Sequence, residues 1–319
     1  MINWILWSGA AIKNWLIDRG WVASMRSQLP VISVGNLAPG GSGKTAFVQW
    51  LVERLDKPAV LTRGYKSQLE HRRPTLIDSK TDPEVCGDEP AMLAQLPCRP
   101  MVIVGKNRRA GAQLAKDVGA RILILDDGMQ YRYLKRDIEI VMLSKDDLDG
   151  KILREPPTAL KRADLIVIMD AYDKNECNVL LQKLAHITHA PVAGAHYVLP
   201  NLQGQDVAAF CALGRPDRFV QDLKRAGANV VATRFKRDHK AFTEAELKAF
   251  AKAAGTQLVC TRKDGVKLGQ IDIPITVIDA GLNFAFGYEH IEEVLREIMD
   301  QNFNRSGSRS NCWDCTSPI

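Results

Sequence analysis

The stretch that decides the fold is residues 31–47, VISVGNLAPGGSGKTAF. An apolar run, VISVGNL, leads into a glycine-rich turn, and a helical pattern starts at Lys44. The end of the stretch matches the phosphate-binding motif GxxxxGK[ST], except that Ala38 stands in place of the first glycine. The stretch is therefore either a working nucleotide loop or a glycine-rich turn that binds no ligand.

The order of strand, turn and helix favours a nucleotide loop. Closely spaced glycines let the backbone curl so that successive N–H groups point at phosphate oxygens, and the helix N-terminus adds a partial positive charge. Lys44 is expected to reach the β- and γ-phosphates, and the Thr45 hydroxyl to hold Mg²⁺. The predicted nucleotide-binding residues of the loop are Gly40, Gly41, Ser42, Gly43, Lys44 and Thr45.

A second candidate for the metal site follows another apolar run. Asp126 and Asp127 end the segment RILILDD, and a phosphate loop needs a carboxylate at the end of a neighbouring strand to organise its metal. An Asp-Asp-Gly turn without a ligand has the same sequence, and alone it would be the better interpretation. Beside a phosphate loop, the two carboxylates are predicted to be metal ligands.

Apolar runs alternate with helical patterns along most of the chain. Continuous apolar runs are typical of parallel strands buried on both faces, with helices covering the sheet. We therefore predict a P-loop NTPase-like α/β fold, a three-layer α/β/α arrangement with a mostly parallel sheet and two α/β subdomains. The predicted strands are 31–37, 59–65, 101–105, 121–127, 138–143 and 165–169, then 207–214, 229–235, 258–264 and 275–280.

The boundary between the two subdomains is predicted near residues 170–200. An N-terminal amphipathic, membrane-associated helix (1–28) precedes the P-loop subdomain (29–190) and a second α/β subdomain (191–303). The segment 304–319 is polar and aperiodic, which predicts a disordered tail.

Composition limits the classes of partner. The 319 residues carry a net charge of +6, from 43 basic and 37 acidic residues, which suits an anionic ligand or an anionic membrane surface. No basic run is interleaved with aromatic residues, so nucleic acid is not expected as a partner. No obligate protein partner is evident in the sequence either. Most of the seven cysteines are scattered, as expected of reduced thiols, and the CWDC at 312–315 lacks the second pair that a zinc site needs.

The N-terminus is rich in tryptophan, with four of the six tryptophans of the chain at positions 4, 7, 15 and 21. The uncharged run stops at Lys13 and is too short to span a bilayer. Tryptophan favours the membrane interface, so one interpretation is a helix that lies on a membrane. The other is a helix packed on the protein's own core, because Lys13, Asp18 and Arg19 do not fall on one face.

Nine further segments carry a resemblance to a known family. They are TRGY (62–65), GDEP (87–90), VGKNR (104–108), DDGMQ (126–130), LKRD (134–137), LREP (153–156), LKRAD (160–164), DH (238–239) and TRKDGVKL (261–268). In sequence and in order they resemble the conserved blocks of the tetraacyldisaccharide 4′-kinase (lipid A 4′-kinase) family, whose phosphate loop also lacks the first glycine. The match runs from the N-terminal helix to about residue 300.

The resemblance implies a reaction that uses ATP and Mg²⁺. In that family the γ-phosphoryl group of ATP passes to the 4′-hydroxyl of a lipid-linked glucosamine disaccharide 1-phosphate, which yields lipid IVA. The resemblance gives Asp88 and His239 catalytic roles, with Asp88 accepting the hydroxyl proton and His239 paired with it, and Lys44 of the phosphate loop is the third predicted catalytic residue. Phosphoryl transfer needs mainly positioning, charge neutralisation and a proton acceptor, so these assignments are chemically reasonable.

Three more residues are candidates for the same site. Arg108 and Arg154 are candidate phosphate contacts, because a guanidinium matches phosphate oxygens, and Glu155 is a candidate metal ligand. Plainer interpretations exist: Asp88 as a helix cap, His239 as a loop histidine, and Arg154 with Glu155 as a surface ion pair.

Two other functions stay open. The family usually has Phe and His at positions 129 and 131, where this chain has Met129 and Tyr131, and residues 149–152 also depart from its pattern. These departures fit the first alternative, a non-catalytic or regulatory P-loop ATPase. The second alternative is a kinase for another, water-soluble sugar.

The N-terminal helix fits the lipid kinase best, because an enzyme acting on a four-chain lipid meets it at a membrane. The expected location is the cytoplasmic face of the inner membrane, peripheral or monotopic, or an organelle membrane in a eukaryote.

Overall fold

The computed structural model describes residues 2–149, 152–237, 240–269 and 271–306. The α-helices are α1 (Ile2–Asp18), α2 (Lys44–Val52), α3 (Pro83–Cys86), α4 (Asp88–Ala94), α5 (Arg108–Asp117), α6 (Asn178–Ala185), α7 (Pro216–Arg225), α8 (Glu244–Ala254), α9 (Arg262–Gly265) and α10 (Tyr288–Ser306). The strands are β1 (Val31–Asn36), β2 (Pro58–Thr62), β3 (Thr75–Ile77), β4 (Met101–Val104), β5 (Ile122–Asp126), β6 (Ile138–Ser144), β7 (Leu165–Met169), β8 (Val192–Val198), β9 (Asp206–Cys211), β10 (Asn229–Phe235), β11 (Gln257–Thr261), β12 (Ile275–Ile278) and β13 (Gly281–Phe286). Short 3₁₀ helices span Pro157–Arg162 and Asn175–Cys177.

Nine strands form one large sheet, in the order β13-β8-β7-β6-β1-β5-β2-β4-β3. The outermost pairs, β13 with β8 and β3 with β4, are antiparallel, whereas the inner strands run parallel. The predicted mostly parallel sheet is therefore confirmed. Strand β1 lies between β5 and β6, so the phosphate loop and the Asp126–Asp127 pair leave the sheet at the same edge.

Helices cover both faces of the large sheet. On one face Phe47 of α2 and Ile291 of α10 pack in a core with Ile32 of β1. On the other face Ala112 of α5 packs in a core with Val31, the neighbour of Ile32. Consecutive residues of a strand point to opposite faces, so β1 contributes to two cores and the three-layer architecture follows.

A second, smaller sheet has the order β10-β9-β11-β12, and all its pairs are parallel. Phe219 and Leu223 of α7 pack on one face, and Leu247 and Phe250 of α8 pack on the other. This sheet and its helices, residues 206–278, form what we call the inserted unit.

The sheets divide the chain differently from the predicted boundary near 170–200. Strand β8 belongs to the large sheet, and after the inserted unit the chain returns to that sheet through β13, which is antiparallel to β8. Helix α10 then packs against β7 and β8. The predicted second subdomain, residues 191–303, therefore contains two strands and a helix that belong to the large sheet.

Residues 304–306, predicted as part of a disordered tail, belong to α10, which continues to Ser306. The rest of the tail, with Cys312 and Cys315, lies outside the described residues.

Candidate active site

The phosphate loop joins β1 to α2, and two of its glycines, Gly40 and Gly43, have a positive φ that other residues adopt only with strain. Gly43, directly before α2, has a φ of 78°. A Cβ at this position would lie 2.7 Å from the side chain of Met169, the last residue of β7. Gly43 therefore satisfies both the backbone conformation and the close approach of a neighbouring strand.

The side chain of Asn36, the last residue of β1, stabilises the phosphate loop by hydrogen bonds. Its buried side-chain amide donates hydrogen bonds to the Ser42 hydroxyl, at 2.8 Å, and to the carbonyl of Ala38. The side chain of Gln130 donates in turn to the Asn36 carbonyl, at 3.0 Å. Asn36 and Gln130 are not among the site residues predicted from the sequence, although a polar residue at the end of an apolar strand is a signal of such a role.

Lys44 and Arg154 converge on Asp127, as expected for residues of one site. Nζ of Lys44 lies 3.5 Å from Oδ1 of Asp127, and Nη1 of Arg154 lies 2.8 Å from the same oxygen. Burial opposes ionisation of Asp127, but the two cations outweigh it and hold the pKa of Asp127 below its ordinary value. The carboxylate is thus ionised and keeps Lys44 beside the loop.

Asp126 is buried at the end of β5 and has a different environment. The Thr62 hydroxyl donates to its Oδ2 at 3.0 Å, and Nη2 of Arg108 donates to its backbone carbonyl at 2.9 Å. Burial raises the pKa of Asp126 to about 6, and the charges of Glu89 and Asp127 act in the same direction. Two adjacent carboxylates therefore differ in protonation behaviour because only Asp127 is paired with cations.

Arg108 is buried against the backbone of Asp126 and is not exposed next to the phosphate loop. Its side chain is buried, which lowers its pKa, and its guanidinium lies 5.1 Å from the ring centroid of Tyr131. Tyr131 is one of the two departures from the family pattern, and Met129, the other, fills the core beside β1. Both departures are accommodated by packing.

Glu155 is placed against the N-terminal helix. Its Oε2 accepts hydrogen bonds from the Asn14 amide, at 2.7 Å, and from Nη2 of Arg162, at 2.8 Å. Its buried Oε1 makes no hydrogen bond with the described residues. These contacts connect Glu155 to α1 and explain why a carboxylate is buried here. The sequence alone did not indicate this structural role.

The residues present suit Mg²⁺ only in combination with a nucleotide. Within the described parts of the chain, no three or more His, Cys, Asp or Glu side chains are arranged to hold a metal. Mg²⁺ usually binds through one or two carboxylates together with substrate phosphates and water. Thr45 on the first turn of α2 and the buried Asp126 match that donor set, with phosphates completing it.

The GDEP segment begins α4 and faces the inserted unit. Asp88 is the first residue of α4, after Gly87 at the N-cap, so the interpretation of Asp88 as the cap itself does not apply. Nζ of Lys267 lies 2.7 Å from Oδ2 of Asp88, and Nζ of Lys263 lies 3.8 Å from Oε1 of Glu89. The negative charge of Glu89 also contributes to the raised pKa of Asp126, which indicates that this cluster lies near the phosphate loop. His239 lies outside the described residues.

Helix α1 contacts the same region with one face. The indole N–H of Trp7 donates to the carbonyl of Leu153 at 3.1 Å, and Nζ of Lys13 donates to the carbonyl of Gln130 at 2.8 Å. Trp15 and Trp21 pack edge to face and are 46% and 71% exposed. The contacts of Trp7 and Lys13 agree with a helix packed on the protein, and the membrane interpretation of the exposed tryptophans stays a prediction.

The described helices include none with the length and hydropathy that a membrane span requires.

The family model and the similar proteins of known name all indicate the same family. The family model described as Tetraacyldisaccharide-1-P 4′-kinase matches residues 1–300. The tetraacyldisaccharide 4′-kinase of Koribacter versatilis is 34% identical over 314 residues, which are 91% of this chain and 96% of that protein. The protein of the same name from Chlamydia abortus is 33% identical over 335 residues, 94% of this chain and 89% of that protein.

A solved structure agrees with the sequence comparisons. The crystal structure of the "apo" form of LpxK from Aquifex aeolicus in complex with ATP matches with a TM-score of 0.74 and 28% identity. The match covers 93% of this chain and 96% of the other. The similarity therefore extends through both sheets and over nearly the whole length of each protein.

Proposed function

This chain belongs to the tetraacyldisaccharide-1-P 4′-kinase family, and from that premise we propose that Lys44 and Asp88 act on the two substrates of one phosphoryl transfer. The reaction uses ATP and phosphorylates the 4′-hydroxyl of the tetraacyldisaccharide 1-phosphate precursor of lipid A. The observation that carries the proposal is the position of α4. The charge of its Glu89 raises the pKa of Asp126, which supports an acceptor side next to the nucleotide side.

On the nucleotide side, the backbone of residues 40–43 and the N-terminus of α2 are proposed to cradle the phosphates. When ATP binds, Lys44 would move away from Asp127 and contact the β- and γ-phosphates. Arg154 would stay paired with the Asp127 carboxylate. Thr45 and Asp126 would hold Mg²⁺, which neutralises the phosphate charge when bound. Arg108 supports Asp126 from behind, and Glu155 supports the site through α1.

On the acceptor side, Asp88 is proposed as the proton acceptor. The 4′-oxygen attacks the γ-phosphorus, the bond between that phosphorus and the β,γ-bridging oxygen breaks, and ADP leaves. The hydroxyl proton passes to the Asp88 carboxylate. His239, its proposed partner, is assigned on the family resemblance alone.

The N-terminal helix is proposed to hold the protein on the membrane that contains its substrate. Trp15, near the end of α1, and Trp21, just after it, are exposed aromatic side chains, whereas Trp7 and Lys13 of α1 contact the catalytic unit. Such rings favour the interface between lipid and water, and the net charge of +6 adds attraction to anionic lipids. We propose peripheral attachment to the cytoplasmic face of the inner membrane, where ATP is present.

The experiment that tests the function is transfer of ³²P from labelled ATP to tetraacyldisaccharide 1-phosphate in detergent. Native protein is expected to give labelled lipid. Asp88→Asn is expected to lower kcat by roughly 10² to 10⁴, the usual contribution of a positioned acid or base, with ATP affinity nearly unchanged. Asp78→Asn, which changes an exposed carboxylate elsewhere, serves as the control.

Two outcomes would contradict the proposal. ATP hydrolysis without labelled lipid would identify a regulatory ATPase, and label transferred to a soluble sugar alone would identify another substrate. Equal loss of ATP binding and turnover in Asp88→Asn would argue against a base that acts only on the acceptor.

A further inference from the structure

Lys267 is a buried lysine that comes from the inserted unit and reaches a catalytic carboxylate of the large-sheet unit. Its side chain is 8% exposed, and its Nζ lies 2.7 Å from Oδ2 of Asp88, whose side chain is 15% exposed. Despite this closeness, Nζ makes no hydrogen bond of acceptable geometry with the described residues. An ammonium group has three donors, so Lys267 holds hydrogen-bonding capacity that the fold does not use.

Stability alone does not explain this arrangement. Removing two charges from water costs several kcal/mol for each ion, and a buried ion pair often contributes no more than well-packed apolar side chains would. Buried polar groups are normally hydrogen-bonded, so an unsatisfied buried ammonium requires another explanation. A ligand that supplies acceptor oxygens would provide it.

The other ionisable groups around the pair are engaged with further partners or are uncharged. Glu89 follows Asp88 on α4, Cys86 ends α3, and Lys263 and Asp264 lie on α9 with Lys267 just beyond it. Asp264 is occupied as an acceptor by the Ala212 N–H and by the Thr261 hydroxyl. Burial raises the pKa of Cys86 to about 11, so its thiol carries no charge at neutral pH.

The proposed reaction brings phosphoryl oxygens to this place. A hydroxyl that gives its proton to Asp88 must come within about 3 Å of the carboxylate. The phosphorus it attacks is then about 3 to 3.5 Å from the hydroxyl oxygen. Because Nζ is 2.7 Å from the same carboxylate and ends a flexible four-carbon stem, the transferred group passes within its reach.

We propose that Lys267 is a further catalytic residue of the kinase, which holds the Asp88 carboxylate before the reaction and donates a hydrogen bond to the phosphoryl group during transfer. This inference rests on the proposed role of Asp88 as proton acceptor. As the phosphorus–oxygen bond forms and the bond to ADP breaks, Asp88 takes the proton and becomes neutral. The ammonium of Lys267 then loses its partner and interacts with the phosphoryl oxygens, which still carry negative charge.

The test compares Lys267→Met and Lys267→Arg with native enzyme, measuring kcat, KM for each substrate and ATP affinity. Lys267→Met is expected to lower kcat by roughly 10² or more, as loss of one transition-state donor does, with ATP affinity within about threefold. Lys267→Arg keeps the charge and is expected to recover part of kcat. Lys248→Met is the matched control, because Lys248 also lies 2.7 Å from a carboxylate but that pair is half exposed.

Thermal unfolding is measured for every variant, and Lys267→Leu, which also lacks a donor, replaces Lys267→Met if that protein does not fold. A folded neutral variant with kcat within about threefold of native would overturn the proposal. So would a loss confined to KM for the lipid, or an arginine variant no better than the neutral one.

Asp88→Asn is measured in the same assay to separate this inference from the proposed function. An active Asp88→Asn enzyme rejects the base role and the lysine role that depends on it. An inactive Asp88→Asn enzyme beside a fully active Lys267→Met enzyme rejects the lysine role alone.

Discussion

Nη1 of Arg154 lies 2.8 Å from Oδ1 and 2.9 Å from Oδ2 of Asp127, so a single nitrogen bridges both oxygens of the carboxylate. The backbone N–H of Arg154 also donates to the carbonyl of Leu37, at 2.7 Å, where the phosphate loop begins. Arg154 therefore ties the loop and Asp127 together, and Lys44 shares the carboxylate with it.

Replacing Arg154 with alanine is expected to weaken ATP binding by roughly tenfold, about 1.4 kcal/mol. Without the arginine, the negative charge of Asp127 acts on Lys44 alone and competes with the phosphates. Calorimetric titration with ATP measures the change. Arg121→Ala, which breaks an ion pair with Asp56 at the other end of β5, is expected to leave ATP affinity unchanged. An unchanged affinity in Arg154→Ala would refute the coupling.

Replacing Asp126 with asparagine is expected to raise the unfolding temperature in metal-free buffer at pH 8 while abolishing turnover. The pKa of Asp126 is raised in the folded state to about 6 from an ordinary value of 3.8, so the native state binds this proton more tightly. Its contribution to stability therefore falls as pH rises through that interval, and the penalty is complete above pH 6. Asparagine carries no charge and still accepts from Thr62.

Scanning fluorimetry with EDTA at pH 4 and pH 8 checks this prediction. The difference between variant and native protein is expected at pH 8 and should shrink toward pH 4. A difference that is equal at both values would show that charge burial is not its cause.

Gly43→Ala is expected to weaken ATP binding more than tenfold and to lower the unfolding temperature. The new methyl group would require a left-handed backbone and would meet Met169 at 2.7 Å. Gly41→Ala is the matched change, because no heavy atom lies within 4 Å of a Cβ there and its φ is not positive. Its unfolding temperature should equal that of native protein. Equal losses in both variants would contradict the steric explanation.

Glu155→Ala is expected to lower the free energy of unfolding by about 3 kcal/mol and to leave the Mg²⁺ dependence of ATP binding unchanged. The mutation removes the acceptor shared by Asn14 and Arg162 and leaves the Arg162 guanidinium unpaired. Urea unfolding and ATP titrations at several Mg²⁺ concentrations measure the two effects. Glu53→Ala, at a more exposed carboxylate, is the control. A higher Mg²⁺ requirement with unchanged stability would instead support the metal ligand predicted from the sequence.

Replacing Trp15 and Trp21 together with serine is expected to reduce binding to anionic phospholipid vesicles by at least about tenfold, because both rings are exposed, Trp15 on α1 and Trp21 just after it. Activity on a short-chain acceptor in detergent should remain. Vesicle sedimentation measures the binding. Val179→Ser, at an exposed apolar residue of α6, should change neither property. Unaltered vesicle binding in the double variant would remove the proposed role of this face.

The sequence predicted the buried inner strands because their signal is strong. Continuous apolar runs such as the one in β7, LIVIM, are typical of strands covered on both faces, and β7 spans the predicted residues. Strands β8 and β13, VAGAHYV and GLNFAF, lack that signal, because they lie at the edge of the sheet and are partly exposed. For the same reason, the sequence did not indicate that β8 and β13 belong to the large sheet. The predicted boundary therefore placed both strands in the second subdomain.

The nucleotide side of the site was predictable because its residues are adjacent in sequence. Lys44, Thr45, Asp126 and Asp127 follow strands, and strand order brings them together at one edge. The role of Lys267 was not predictable, although its segment TRKDGVKL was noted. Its contact with Asp88 spans two sheets, and only the packing of α9 on α4 creates it.

The inserted unit leaves and re-enters the large sheet at paired positions, because Val198 of β8 lies opposite Gly281 of β13. Paired residues of antiparallel strands are about 5 Å apart, a gap that a short turn can close. The unit that carries Lys263 and Lys267 is therefore joined to the large sheet at two neighbouring points, and a short turn in its place would leave β8 and β13 paired. A chain that stopped before residue 281, by contrast, would lose the edge strand and α10 and leave that sheet incomplete.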